Sequence, residues 1–301
     1  AIVMSALLSP GDHLLISDNA YTPTKMWAET YGKRMNISFD MIHPDISEAE
    51  LENAIQDNTK LIMLESPGSL TFEIADVPMI THIAHKHDIA VAIDNTWGAG
   101  VYFDAFKHGC DISIQAGTKY FIGHSDACFG TIACNKKYNR DIKITHKVMG
   151  QNLDGDTAFL ALRGIRTLYV RLEHHMRSAL KVAEFLENHP KIDKVLHPGL
   201  ESSKYHALWK RDFTGACGLF SFTLKDNLES KMQEFIDALE LFGLGFSWGG
   251  FESLVMPCLS DNLIRATQSE VASGASLIRI NIGLENVDDL IADLTQALEK
   301  I

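Results

Sequence analysis

Residues 61–96 read LIMLESPGSLTFEIADVPMITHIAHKHDIAVAIDNT: two unbroken apolar runs, LIMLES at 61–66 and AVAIDNT at 90–96, joined by a helical stretch across Pro78 to His87. Runs apolar at every position are strands buried on both faces. A strand, a helix and a second strand of that kind make a crossover unit of a parallel sheet, whose functional loops lie at the carboxyl ends of the strands.

The pattern extends in both directions. Upstream lie HLLIS at 13–17, a helix near 24–34, ISFDMI at 37–42 and a helix from about 47, where Ser47 and Glu50 have the spacing of a capping box. Downstream, Ile112 to Ala116 and Thr131 to Cys134 read as two more strands. These residues predict an α/β fold, a three-layer αβα arrangement around a mainly parallel sheet. After about residue 156 a long helical reading, broken near Gly164, carries through Glu187. It is followed by DKVLHPG at 193–199, GLFSFTL at 218–224, a helix near 229–241, LIRINIG at 277–283 and a terminal helix from Val287. That half reads as α+β, so a large domain over 1–165 and a C-terminal α+β domain over 166–301 are expected. At the other end, AIVMSALL at 1–8 reads as the last turns of an apolar helix stopped by Ser9-Pro10-Gly11-Asp12, and a helix without its beginning implies a longer physiological chain.

Composition narrows the partners. The 301 residues are 46% apolar and 22% charged, a mixture that folds into a sizeable core. Lys and Arg number 27 against 39 Asp and Glu, and a net charge of −12 repels both a phosphate backbone and an anionic bilayer, which argues against nucleic acid and membrane partners. No run approaches a membrane span and no signal peptide opens the chain, so a cytoplasmic protein is expected. The cysteines, Cys110, Cys128, Cys134, Cys217 and Cys258, are odd in number and lack C-x-x-C spacing, which points to buried thiols. His85 and His87, and His174 with His175, do not share a helix face with a third ligand, so no metal site is expected.

Asp94 ends one apolar strand and Lys119 is expected to end another, which puts a carboxylate and an amine at one sheet edge. The two alone fit an ordinary strand-end ion pair equally well. Around the lysine, DISIQAGTKYFIGHS at 111–125 sets a hydroxyl, Thr118, just before the amine and a Gly-His-Ser turn just after it. This segment resembles the lysine motif of the Cys/Met-metabolism family of pyridoxal-phosphate (PLP) enzymes, which have the aspartate aminotransferase type fold.

The resemblance implies pyridoxal 5'-phosphate as cofactor, Lys119 as the amine that joins its aldehyde and moves protons, and Asp94 as the carboxylate facing its ring nitrogen. It implies Thr118 as a hydroxyl for the cofactor phosphate, although Ala116 stands where the family often has a second hydroxyl. Tyr21, in DNAYTP after the first strand, matches the family's stacking aromatic, which also takes part in proton transfer. Arg279, a charge inside an apolar strand, matches the arginine that takes the substrate α-carboxylate with a fork of two donors.

Within the family, FSWGGFESL at 246–254 resembles the SWGGxESL form of β-lyases rather than the SLGGxESL form of γ-enzymes, which marks Ser247 and Trp248 as substrate-side residues. ESPGSL at 65–70 follows the same branch, while Phe246 departs from the Tyr a β-lyase can carry there. The implied activity is carbon–sulfur β-elimination, L-cystathionine and water giving L-homocysteine, pyruvate and ammonia. A γ-synthase or γ-lyase on the same scaffold, or a non-catalytic fragment serving assembly, are the alternatives. The expected partners are a small amino-acid substrate and further copies of the chain, as a homodimer or homotetramer with shared active sites.

Overall fold

The computed structural model describes residues 1–258 and 276–301. Six strands form the first sheet: β1 (His13–Ser17), β2 (Ser38–Ile42), β3 (Thr59–Glu65), β4 (Ala90–Asp94), β5 (Ile112–Ala116) and β6 (Gly130–Cys134). Their order is β2-β1-β3-β4-β5-β6, parallel throughout except that β6 runs antiparallel to β5.

Period-2 alternation along the central strands makes three layers. Leu15, Ile62, Leu64, Val91 and Ile93 point to one face, where they meet Leu51 of α3 (Glu48–Ala54) and Ile80, Ile83 and Ala84 of α4 (Val77–Lys86). Leu14, Ile16, Leu61, Met63, Ala90 and Ala92 point to the other, against Val3 and Met4 of α1 (Ile2–Leu7), Trp27 of α2 (Thr22–Trp27) and Ile142 of α5 (Lys136–Val148). Burying a large aliphatic side chain on either face contributes about 1.5–3 kcal/mol, which explains why no polar residue interrupts these runs. Ser47 and Glu50 form the expected reciprocal cap at the start of α3.

A second sheet, in the order β7-β8-β11-β10-β9, comprises β7 (Ile192–Leu196), β8 (Leu219–Leu224), β9 (Gly243–Leu244), β10 (Leu254–Cys258) and β11 (Leu277–Asn281). It is antiparallel apart from the short β9–β10 pairing. Three helices, α5, α6 (Gly155–Ile165) and α7 (Leu168–Glu187), lie between the sheets in sequence. Leu168 and Leu172 of α7 pack in the first core, and Ala179, Val182, Ala183 and Leu186 pack with β8, β11 and α10 (Val287–Glu299) in the second. One helix thus fixes the two sheets against each other.

The element pattern read from the sequence holds, with additions. The helix α5, the strands β9 and β10, and α8 (His206–Asp212) were not anticipated. The helix expected near 229–241 is a 3-10 turn over Asp226–Lys231 followed by α9 (Met232–Asp237). Lys119 does not close a strand: β5 stops at Ala116 and the lysine lies in the turn beyond it, its N–H bonded to the Ala116 carbonyl at 3.0 Å. A lysine on a turn can be aimed over the strand ends, whereas one in the strand would lie in a helix-covered face.

Candidate active site

From β1 the chain crosses to β2 on one side and then returns to β3 on the other. At such a reversal the loops leave in opposite directions and a crevice opens beyond the carboxyl ends of the strands. A cavity of about 290 Å³ fills it. Tyr21 reaches it from the loop after β1, Glu65 from the end of β3, Asp94 from the end of β4, and Thr118 and Lys119 from the turn after β5. The opposite wall comes from the second sheet and its loops: Phe246, Trp248 and Arg279. Six of the seven residues singled out from the sequence therefore line one cavity. The seventh, Ser247, is attached to it, because Lys119 Nζ donates to Ser247 Oγ at 2.9 Å.

Lys119 Nζ also lies 5.3 Å from the centre of the Trp248 ring, which itself packs edge-on against Tyr120 at 5.8 Å. Burial, and next the positive charge of Arg279, pull the Lys119 amine down to about 8, against the opposing pull of Cys128 and Asp94. Asp94 is pushed up by burial, opposed by two donors from Thr96: both the N–H (3.0 Å) and the hydroxyl (2.5 Å) reach Oδ1. Its Oδ2 accepts no hydrogen bond from a described residue. Glu65 is the register partner of Asp94 on the adjacent strand and is likewise pushed up, by burial first and then by the Asp94 carboxylate. Two buried carboxyls side by side do not both ionise readily, so the pair retains a proton more readily than either group alone.

Arg279 is 5% exposed in the middle of β11, between Ser221 of β8 and Met256 of β10. Its guanidinium donates to the Phe246 carbonyl and lies 4.9 Å from the Phe246 ring, and no carboxylate among the described residues pairs with it. Two residues along the same face, Asn281 accepts the Gly249 N–H at 3.1 Å and donates to the Glu252 carbonyl at 3.0 Å. The strand that carries the arginine thereby holds the loop that carries Ser247 and Trp248. Gly249 needs its lack of a side chain: its φ is +76°, and a Cβ there would lie 3.1 Å from Lys119 Cβ.

Thr118 and Tyr21 are placed less simply. The Thr118 hydroxyl both donates to the Phe129 carbonyl (3.2 Å) and accepts its N–H (3.0 Å), so it is engaged with the main chain as well as facing the cavity. Tyr21 occupies the N-cap position of α2 but makes no capping bond with its side chain, and the residue is 42% exposed and lines the cavity.

These features fit PLP. An amine pulled down toward neutrality, a cavity-lining carboxylate with one oxygen that takes no donor among the described residues, and a buried guanidinium without a carboxylate among them have no purpose in a closed core. They match an aldehyde to be condensed, a ring nitrogen to be kept protonated and a substrate carboxylate to be gripped. Sequence reasoning passed over Glu65, Thr96 and Asn281. Glu65 stands at a strand end in the same way as Asp94, and Asn281 follows from Arg279 by strand alternation, so both were within reach of the rules that found their neighbours.

Comparison with known proteins agrees with this geometry. Residues 1–299 match the family model described as Cys/Met metabolism PLP-dependent enzyme. The cystathionine beta-lyase MetC of Escherichia coli is 44% identical over 300 residues, which cover 98% of this chain and 76% of the relative. The cystathionine beta-lyase of Haemophilus influenzae is 44% identical over 309 residues, covering 100% and 78%. Among solved structures, the cystathionine gamma-lyase of Lactobacillus plantarum complexed with L-serine superposes with a TM-score of 0.92 at 28% identity, over 100% of this chain and 79% of the other. By its lysine turn, its cavity and a match along nearly its whole length, the chain belongs to the Cys/Met metabolism PLP-dependent enzymes.

Proposed function

We propose that the protein is a cystathionine β-lyase, releasing L-homocysteine, pyruvate and ammonia from L-cystathionine and water. The observation that carries this reading is the Lys119 amine bonded to Ser247 and set against Trp248, the residue that separates the β-lyase from the γ-enzyme form of that loop. The high identity to relatives named for this activity supports it.

When bound, pyridoxal phosphate supplies an aldehyde that joins an amine and a protonated ring that draws electrons from the adjoining carbon. With the cofactor bound, Asp94 would hold the ring-nitrogen proton, Tyr21 would stack on the ring and share in proton transfer, and Thr118 would offer its hydroxyl to the phosphate. Arg279 grips the substrate α-carboxylate with its fork of donors, while Ser247 and Trp248 close the substrate side. With a pKa of about 8, roughly a tenth of the Lys119 amine is neutral at pH 7, so it can take the Cα proton and return it to the departing sulfur.

The same reading divides the chain near residue 165 and places it in the cytoplasm, consistent with five free thiols; among the described residues no helix is long and apolar enough to cross a membrane. It also takes a second copy of the chain as partner. Phe159, Leu162, Ile165 and Tyr169 are exposed at helical spacing along α6 and α7, and Val148 is 80% exposed at the end of α5, an apolar surface suited to an interface between copies. Light scattering should return a multiple of the chain mass.

The activity is tested by identifying the oxo-acid released from L-cystathionine. Pyruvate with homocysteine is expected. A product of 2-oxobutyrate with cysteine would establish a γ-enzyme, and no oxo-acid from cofactor-loaded protein would leave a non-catalytic role.

A further inference from the structure

Glu65 lines the cavity, yet the mechanism above gives it no part. Its Oε2 accepts the Tyr21 backbone N–H at 2.6 Å, and its Oε1 accepts the Ser69 hydroxyl at 2.6 Å. Its own N–H is fixed by Ser17 Oγ at 3.0 Å, so the end of β3 is a firm root for the side chain. The carboxyl thus ties the loop after β1 to the loop after β3 across the reversal of strand order. A parallel tie runs from the Ser69 N–H to the Asn19 carbonyl at 2.9 Å. The two loops approach so closely that a Cβ on Gly68 would lie 2.0 Å from Asn19 Nδ2.

Tyr21 depends on such a hold. The residue is exposed and its side chain caps nothing, so the place of the ring is set by the backbone that carries it. That backbone turns at residue 21 into α2, and the donor at the turn is the N–H that Glu65 accepts.

We propose that Glu65 is the positioning residue for Tyr21, holding the tyrosine ring at the cavity mouth, ready for a planar aromatic cofactor, through the backbone N–H of residue 21. Both of its carboxyl oxygens are taken up by these loop contacts, one by the Tyr21 N–H and one by the Ser69 hydroxyl. The charged neighbours of Glu65 are Asp94 on the adjacent strand and Lys25 on α2. Either ionisation form keeps a carboxyl oxygen able to accept the Tyr21 N–H, so the hold does not require the carboxylate charge. This inference rests on the stacking role given to Tyr21 above.

The test is a double-mutant cycle read by equilibrium binding of PLP to cofactor-free protein, followed by absorbance and without substrate. Glu65→Ala should weaken binding about tenfold, Tyr21→Ala by a similar factor, and the double variant no more than Tyr21→Ala alone, since there is then no ring to position. Ser69→Ala, which removes only one partner of the carboxyl, should give a loss of about twofold that likewise vanishes in the Tyr21→Ala background. This second variant keeps the cycle closed if Glu65→Ala folds poorly. Losses that multiply in the double variants, or unchanged binding in both Glu65→Ala and Ser69→Ala, would overturn the proposal. Because no substrate is present, a wild-type protein that binds PLP but releases no pyruvate would sink the lyase reading while leaving the cycle interpretable.

Discussion

The charge state of Lys119 is set by two causes that mutation can separate. Burial lowers the amine first, and the Arg279 guanidinium lowers it further. Replacing Arg279 with Met removes the second cause and leaves the first, so the amine should titrate above its wild-type value of about 8. The measurement is the pH dependence of Lys119 labelling by an amine-reactive reagent, quantified on its peptide. An unchanged midpoint would mean that the two charges do not sense each other. Arg279→Lys keeps the charge and loses the fork, so its expected effect falls on substrate: KM should rise about tenfold or more while PLP stays bound. At this scale the sequence was informative because each residue type was unusual for its place. A carboxylate ending an apolar run and an arginine inside one both demand partners. Glu65 was less conspicuous because it follows the same rule as Asp94 but no family role attaches to it, and one of its two partners, the Tyr21 backbone N–H, leaves no trace in the sequence.

At the scale of elements, β11 does two tasks on one face, with Arg279 toward the cavity and Asn281 on the loop of Ser247 and Trp248. Gly249→Ala tests that coupling. A side chain at positive φ, set against Lys119 Cβ, should cost about 1–2 kcal/mol of stability and lower kcat about tenfold by moving the Lys119–Ser247 contact. Denaturant unfolding with parallel kinetics checks both, and wild-type kcat in a destabilised variant would show that the loop and the lysine are independent. The elements missed from the sequence were missed for physical reasons. The helix α5 (KKYNRDIKITHKV) fully buries only Ile142, with Tyr138 partly buried one turn before it, so its apolar stripe is narrow. The strand β10 contains Pro257, which argues against a central strand; the structure accommodates it because β9 pairs only with Leu254 and Val255, so among the described residues Pro257 has a strand partner on one side alone.

Across the whole molecule, the buried histidines couple the fold to pH. His197 is fully buried, accepts the Gly199 N–H at 3.0 Å, and packs edge-on against Trp97 and Phe220. Burial pulls it down to about 4. Above pH ~6.5 it is neutral in both folded and unfolded chains and costs nothing; as pH falls from about 6.5 toward 4 the unfolded chain gains a proton that the folded chain refuses, and stability is lost by about 1.4 kcal/mol per pH unit. His197→Phe cannot take that proton, so between pH 7 and pH 5 it should lose about 2 kcal/mol less unfolding free energy than wild type. Equal losses would show that His197 protonates inside the fold. The sheet order, legible in outline from the strand–helix alternation, is what brings the loops of β1, β3, β4 and β5 to one crevice, and the second sheet supplies the wall that alternation alone could not orient. The central claim is that this convergence makes Lys119 the seat of the cofactor. Its most direct test is to load the protein with PLP, reduce with borohydride and map the modified peptide. The account predicts one cofactor adduct, on Lys119; an adduct on another lysine, or none, would contradict it.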